Sequence, residues 1–157
     1  MENKNMCAII GENPDELEFG YDEEYYLCAS MKYRLVEAMQ EVIAQGCASF
    51  ATTVDQGAAM WGAEACMAIK QLGGGVTLTA APNSEDQADR WHPERRERYF
   101  DVLENADEIV DPFGDCHGIE YIFGHCDLII VLGNAALPRL AEIIDRARVL
   151  GIEVKVA

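Results

Sequence analysis

Basic residues are scarce in this chain: 12 lysines and arginines face 28 aspartates and glutamates, for a formal net charge of −16 over 157 residues. Such a surface repels nucleic acid unless its few cations are gathered on one face. The densest basic stretch, Arg90, Arg95, Arg96 and Arg98, is interleaved with Asp89, Glu94 and Glu97 and reads as a solvated helix face. DNA and RNA are therefore not expected as partners. Long apolar runs are also missing. The longest, such as Leu128 to Leu132, are of strand size and far short of the roughly 20 residues of a membrane span, so no membrane contact is expected. Nor does the polar start Met1 to Asn5 read as a signal peptide, and a cytoplasmic location follows as the expectation. The six cysteines form no CxxC pair and read as small buried thiols. No GxGxxG fingerprint is present.

What the chain does have is a hydrophobic pattern that switches repeatedly between strand runs and helical stripes. Met6 to Ile10 is an apolar strand ending at Gly11. Leu27, Met31, Leu35, Met39 and Val42 mark a helix from about Glu23 to Gln45, stopped by Gly46. Strands are expected at 47–52, 76–80, 108–110, 128–132 and 152–156, and helices at 57–72, 93–105, 117–124 and 137–149. Strands alternating with helices imply right-handed crossovers. The expected fold is α/β, a single Rossmann-like three-layer domain over residues 1–157 with a mostly parallel sheet of about six strands. Ligands of such sheets sit beyond the carboxyl strand ends near the switch in strand order. The loops of interest are thus Gly11 to Pro14, Thr52 to Gly57, Ala81 to Trp91 and Gly133 to Pro138.

Each loop carries residues with two readings. Gly11 lets backbone approach a ligand and Asn13 can bind an oxyanion or a ribose, but Asn13-Pro14 also makes a plain turn. Thr53 and free amides at a helix start suit phosphate or ribose, whereas Asp55 suits a helix N-cap. Glu64 faces either the cleft or solvent. Trp91 and His92 either stack on a base or pin the loop to its helix. Cys116-His117 and His125-Cys126 have zinc-ligand chemistry at a spacing that fits no established pattern, and ordinary packing is the stronger reading. Asp107, Glu108, Asp111 and Asp115 can supply paired carboxylates for glycosidic chemistry or serve as surface loop acids.

Trp61-Gly62-Ala63-Glu64-Ala65, Pro82, Trp91-His92-Pro93 with Arg98-Tyr99, Ala106-Asp107 and the strand from Asp127 to Leu132 follow one another in a recognisable order. With Gly11 and Pro14 at the first strand, this order resembles the YpsA/YoqJ-type branch of the SLOG (Smf/DprA–LOG) superfamily over roughly residues 7 to 157. The resemblance implies a Rossmann-like fold that binds nucleotides or derivatives such as ADP-ribose. It covers phosphoribohydrolases that release a base from a nucleoside monophosphate, and sensors of signalling nucleotides. The chain departs from the pattern at Ala59, where an acid is common, and at Glu12 and Asn13, where a basic residue is often found. The phosphate loop is reduced to Gly133-Asn134-Ala135, and the PGGxGTxxE signature is absent.

A non-catalytic binder of a nucleotide-derived small molecule, sensing or sequestering it without a further cofactor or metal, is the leading expectation. Its binding residues are expected among Gly11, Asn13, Thr53, Asp55, Trp61, Glu64, Pro82, Trp91, Gly133 and Asn134. The alternatives are an N-glycosidic hydrolase or transferase with Glu64 as its catalytic carboxylate, and a protein-interaction module with a vestigial cleft. Outward apolar helix faces suggest a homo-oligomer.

Overall fold

A computed structural model describes residues 5–111 and 117–157. Its six strands are β1 (Met6–Gly11), β2 (Ser49–Thr52), β3 (Thr77–Ala80), β4 (Glu108–Ile109), β5 (Leu128–Leu132) and β6 (Glu153–Val156). Five helices alternate with them: α1 (Tyr26–Ala44), α2 (Ala58–Gln71), α3 (Pro93–Asn105), α4 (Gly118–His125) and α5 (Pro138–Val149). All five strand pairings are parallel, in the order β4-β3-β2-β1-β5-β6. The sequence expectation of a single α/β Rossmann-like domain holds. The chain walks outward from β1 to β4, then returns to lay β5 on the other side of β1. That reversal puts the switch point between β1 and β5. It also sends the helices made before and after it to opposite faces, as right-handed crossovers require.

The alternation of β1 divides the core. Cys7 and Ile9 pack with Met31, Leu35, Met39 and Trp61 beneath α1, α2 and α3. Ala8 and Ile10 pack with Ile122, Phe123, Leu140 and Ile144 beneath α4 and α5. Strands buried on both faces read as unbroken apolar runs, and β5 has both Ile130 and Ile129 fully buried, one toward each layer. Cys7, Cys28, Cys47, Cys66 and Cys126 are free and buried, while Cys116 lies outside the described residues.

One expected boundary shifts. The first helix begins at Tyr26 rather than near Glu23, because the Asp22 carboxylate accepts the Glu24 N–H in a turn and Glu23 is drawn to Lys32 and Arg98. At the end of β1, glycine is a packing requirement. A Cβ on Gly11 would meet the Leu132 carbonyl oxygen and the Ala58 side chain, so the first strand touches both β5 and the start of α2 there.

Candidate functional site

A cleft of about 470 Å³ opens at the carboxyl ends of β1 and β2, on the α4–α5 side of the sheet and beside the switch point. Its size lies within the roughly 300–1,000 Å³ of small-molecule sites. Ile10, Gly11 and Thr53 form the floor, and Ile119 and Phe123 of α4 face Arg139, Ile143 and Arg146 of α5 across it.

The polar end is built around the β2–α2 loop. The Thr52 hydroxyl donates to the Ala59 carbonyl at 2.8 Å and accepts the Val54 N–H at 3.0 Å, tying strand to helix. Between them Val54 is fully buried with φ +58°, a left-handed conformation that a β-branched residue adopts only under strain. That local twist carries Thr53 and Asp55 to the cleft. Asp55 accepts the neighbouring Gln56 N–H at 3.1 Å and forms no ion pair among the described residues. Burial pushes its carboxyl above the ordinary aspartate value, against the opposing pull of the Gln56 N–H and of Arg139.

Asn83, from the loop after β3, joins the cleft to the start of α4. Its Oδ1 accepts the Ile119 N–H at 3.0 Å, and its carbonyl oxygen lies 2.8 Å from His117 Nδ1. Gln87 bridges the same loop to the Thr53 carbonyl at 3.0 Å. Both cleft arginines are engaged. Arg139, in the first turn of α5, grips Glu16 at 2.7 and 3.1 Å and donates to the Gly11 carbonyl. This bond holds the Glu16 carboxyl below its usual range. Arg146 pairs with Glu120 at 2.6 and 2.8 Å and lies over the Phe123 ring at 4.2 Å.

Of the residues expected from sequence, Gly11, Asn13, Thr53 and Asp55 meet in this cleft. Gly133 and Asn134 do not line it; they follow Leu132, the strand partner of Gly11, and the Asn134 N–H donates to Glu12, which stands between Gly11 and Asn13 of the cleft. Pro82 is buried behind it, its backbone against Gly118. The other three lie elsewhere. Trp61 is buried beneath α1, near-parallel to Phe19 at 6.4 Å, with Lys32 over its ring. Glu64 forms an ion pair with Arg98 at 2.7 Å. Trp91 packs edge-on against Tyr99 and lines a separate depression with Tyr21, Gln56 and Arg90.

Sequence reasoning did not single out Asn83, Ile119, Phe123, Arg139 or Arg146. A usable signal existed for Arg139, since Pro138 opens a helix directly after the Gly133 loop. The α4 wall carried none. Among the described residues no group of three or more His, Cys, Asp or Glu is placed to hold a metal, and Cys116 and Asp115 lie outside them. Asp107 is held by Lys70 at 2.6 Å and by the Leu78 N–H at 2.8 Å, while Glu108 is exposed on the edge strand.

A family model described as YpsA, the YspA SLOG family, matches residues 7–113. Among solved structures the chain is similar to the X-ray structure of DNA processing protein A (DprA) from Streptococcus pneumoniae, with a TM-score of 0.65 and 14% identity. That likeness covers 97% of this chain and 50% of the other, so the chain spans about half the length of DprA and shares its fold. No curated protein matches the chain.

Proposed function

Since the chain belongs to the YspA SLOG family, we propose that its cleft binds a nucleotide-derived small molecule and holds it unaltered, as a sensor or a sequestering protein. The observation that carries this reading is Asp55, a partly buried carboxylate at the switch-point cleft that forms no ion pair among the described residues. A desolvated acceptor of that kind is costly unless a ligand donates to it, and ribose hydroxyls are the donors that the family's ligands bring. Thr53 and Asn13 line the same end, and Ile119, Phe123 and Ile143 offer an apolar wall for a base. ADP-ribose and its cyclic isomers are the forms that the sequence resemblance puts first.

Binding without catalysis is supported by the position of Glu64. The carboxylate expected to act on a glycosidic bond is bound to Arg98 under the opposite helical layer. The rival reading of an N-glycosidic hydrolase or transferase draws on Asp55 instead, because a carboxyl raised by burial suits a general acid.

Native mass spectrometry of freshly purified protein, followed by a thermal-shift panel of ADP-ribose, its cyclic isomers, NAD, nucleoside monophosphates and nucleosides, tests the proposal. A retained mass, or stabilisation that grows with concentration, is expected. Absence of both would overturn it. Release of free base that is abolished by Asp55→Asn would transfer the case to the enzyme.

A further inference from the structure

The cleft contains two arginines, and the chain's own carboxylates hold both: Arg139 is bound to Glu16 through two nitrogens, and Arg146 to Glu120 through two. A position beside the cleft, where Glu12 stands between the lining residues Gly11 and Asn13, is filled in the same way. The backbone N–H of Asn134 donates to Glu12 Oε2 at 2.8 Å. Gly133, at φ +117°, lies so close under this side chain that a Cβ would sit 2.6 Å from Glu12 Cγ and 2.8 Å from Cδ. A glycine in that conformation, followed by a free N–H, is the kind of concavity that receives phosphate or carboxylate oxygens. Here the carboxylate comes from residue 12, one step beyond the glycine that ends β1.

We propose that Glu12 is an internal occupant of the cleft's anion position, and that the cleft therefore selects a phosphate-free, nucleoside-like ligand. This rests on the cleft binding a nucleotide-derived molecule at all, and within that reading it moves the preference from ADP-ribose, which the sequence resemblance puts first, to the phosphate-free nucleoside. A phosphate placed beside Gly133 must displace Glu12 from Asn134 and then sit beside that carboxylate, with Asp55 and Glu142 facing the neighbouring cleft. Neither arginine can compensate without abandoning its partner. A nucleoside asks for none of this. Its base lies against Ile119, Phe123 and Ile143, and its hydroxyls donate toward Asp55 while Glu12 stays in place.

The test titrates adenosine, AMP, ADP-ribose and inorganic phosphate into the unchanged protein, Glu12→Ala and Glu12→Gln, by calorimetry and by following the Asn134 amide resonance. The unchanged protein should bind adenosine at least about ten-fold more tightly than AMP or ADP-ribose, and phosphate should leave Asn134 unmoved. In Glu12→Ala that preference should shrink by about ten-fold or reverse, and phosphate should shift Asn134 saturably. Glu12→Gln should fall between, because its amide oxygen can still fill the position without the charge. The Glu12 backbone bonds to Leu132 and Ala58 are kept in both variants, so the fold has no reason to fail. Tighter binding of AMP or ADP-ribose than adenosine by the unchanged protein overturns the proposal. So does an Asn134 resonance indifferent to phosphate in Glu12→Ala. If no nucleoside or nucleotide binds any of the three proteins, the ligand class falls with the functional reading, and the phosphate response at Asn134 alone decides the role of Glu12.

Discussion

On the α1–α3 side of the sheet, Glu23, Lys32, Glu64, Arg95 and Arg98 join the loop before α1 to three helices through one connected set of ion pairs. Trp61 fills the space beside them. On the α4–α5 side the helical cover is two helices instead of three, and a cleft remains between them and the strand ends. The same strand serves both sides, Ile9 facing one and Ile10 the other. Where three helices cover the sheet, Trp61 is buried and Glu23, Glu64 and Arg98 pair with one another or with neighbouring cations. Where two do, carboxyl strand ends are left accessible and Asp55 forms no ion pair among the described residues. Chemical interest follows the thinner cover, even though the tryptophans and most of the charge pairs lie under the thicker one.

The sharpest way to break this contrast is to crowd the closed side. A Cβ on Gly62 of α2 would lie 2.6 Å from Ile9 Cγ2 and 2.8 Å from Cδ1, so the helix backbone rests directly on the Ile9 side chain there. Gly62→Val is expected to cost about 3 kcal/mol, from overpacking at a site that cannot give. Gly124→Ala in α4 meets nothing within 4 Å and should be neutral or slightly stabilising. Calorimetric unfolding of the two variants reads the difference directly, and equal effects would mean that the two layers are packed alike.

Removing the cation at the centre of the ion-pair set comes next. Arg98→Met leaves Glu64 without its partner and Glu23 with only Lys32 and Arg95, at an expected cost of about 2 kcal/mol, discounted because Arg98 and Glu64 are partly exposed. The cleft should not notice: adenosine affinity is expected to be unchanged. The same set has a pH signature. Burial alone would raise the Glu23 carboxyl, but bonds from Arg98 and Lys32 hold it down at about 2. A carboxyl depressed on folding stabilises the fold above its unfolded value and loses that contribution as pH falls through the folded one. Stability should therefore drop between about pH 4.5 and about pH 2, and the drop should be smaller in Arg98→Met. A pH-stability curve that is superimposable for the two proteins would remove Glu23 from this role.

The unequal legibility of the two sides has the same physical origin. Strand runs and helical stripes are local patterns, so the order of elements, the parallel sheet and the loops at the carboxyl ends could be read directly. Gly11, Asn13, Thr53 and Asp55 sit in those loops, and the strand order alone brings them together. Trp61 was expected at the ligand and Glu64 was open between cleft and solvent, because a helix position says which residues share a stripe but not which layer the stripe faces. The face depends on the crossover from β2 to β3, and that puts them against α1 and α3. The ion pairs of Arg139 and Arg146 were illegible for a different reason. Their partners, Glu16 and Glu120, are 123 and 26 residues away, and pairing at that range is a property of the assembled fold.

Asp55→Asn has a smaller expected stability effect than Gly62→Val or Arg98→Met and carries the most information about the open side. Burial raises the Asp55 carboxyl, so the folded chain holds that proton more tightly than the unfolded chain does. Stability contributed by such a group grows as pH falls through the raised value, and above it the charged form is a cost. The asparagine variant should thus be more stable than the unchanged protein near neutral pH, by about 2–4 °C in Tm. That advantage should close on acidification, as the aspartate becomes neutral as well. Adenosine binding should move the other way, falling by about ten-fold where the carboxylate is an acceptor for its hydroxyls. Gain in stability with loss of binding is the signature of a carboxylate whose desolvation is tolerated because a ligand uses it. A gain in stability with binding intact would leave Asp55 a partly buried loop residue with no part in binding and move the polar end of the cleft to Asn13, Thr53 and Asn83.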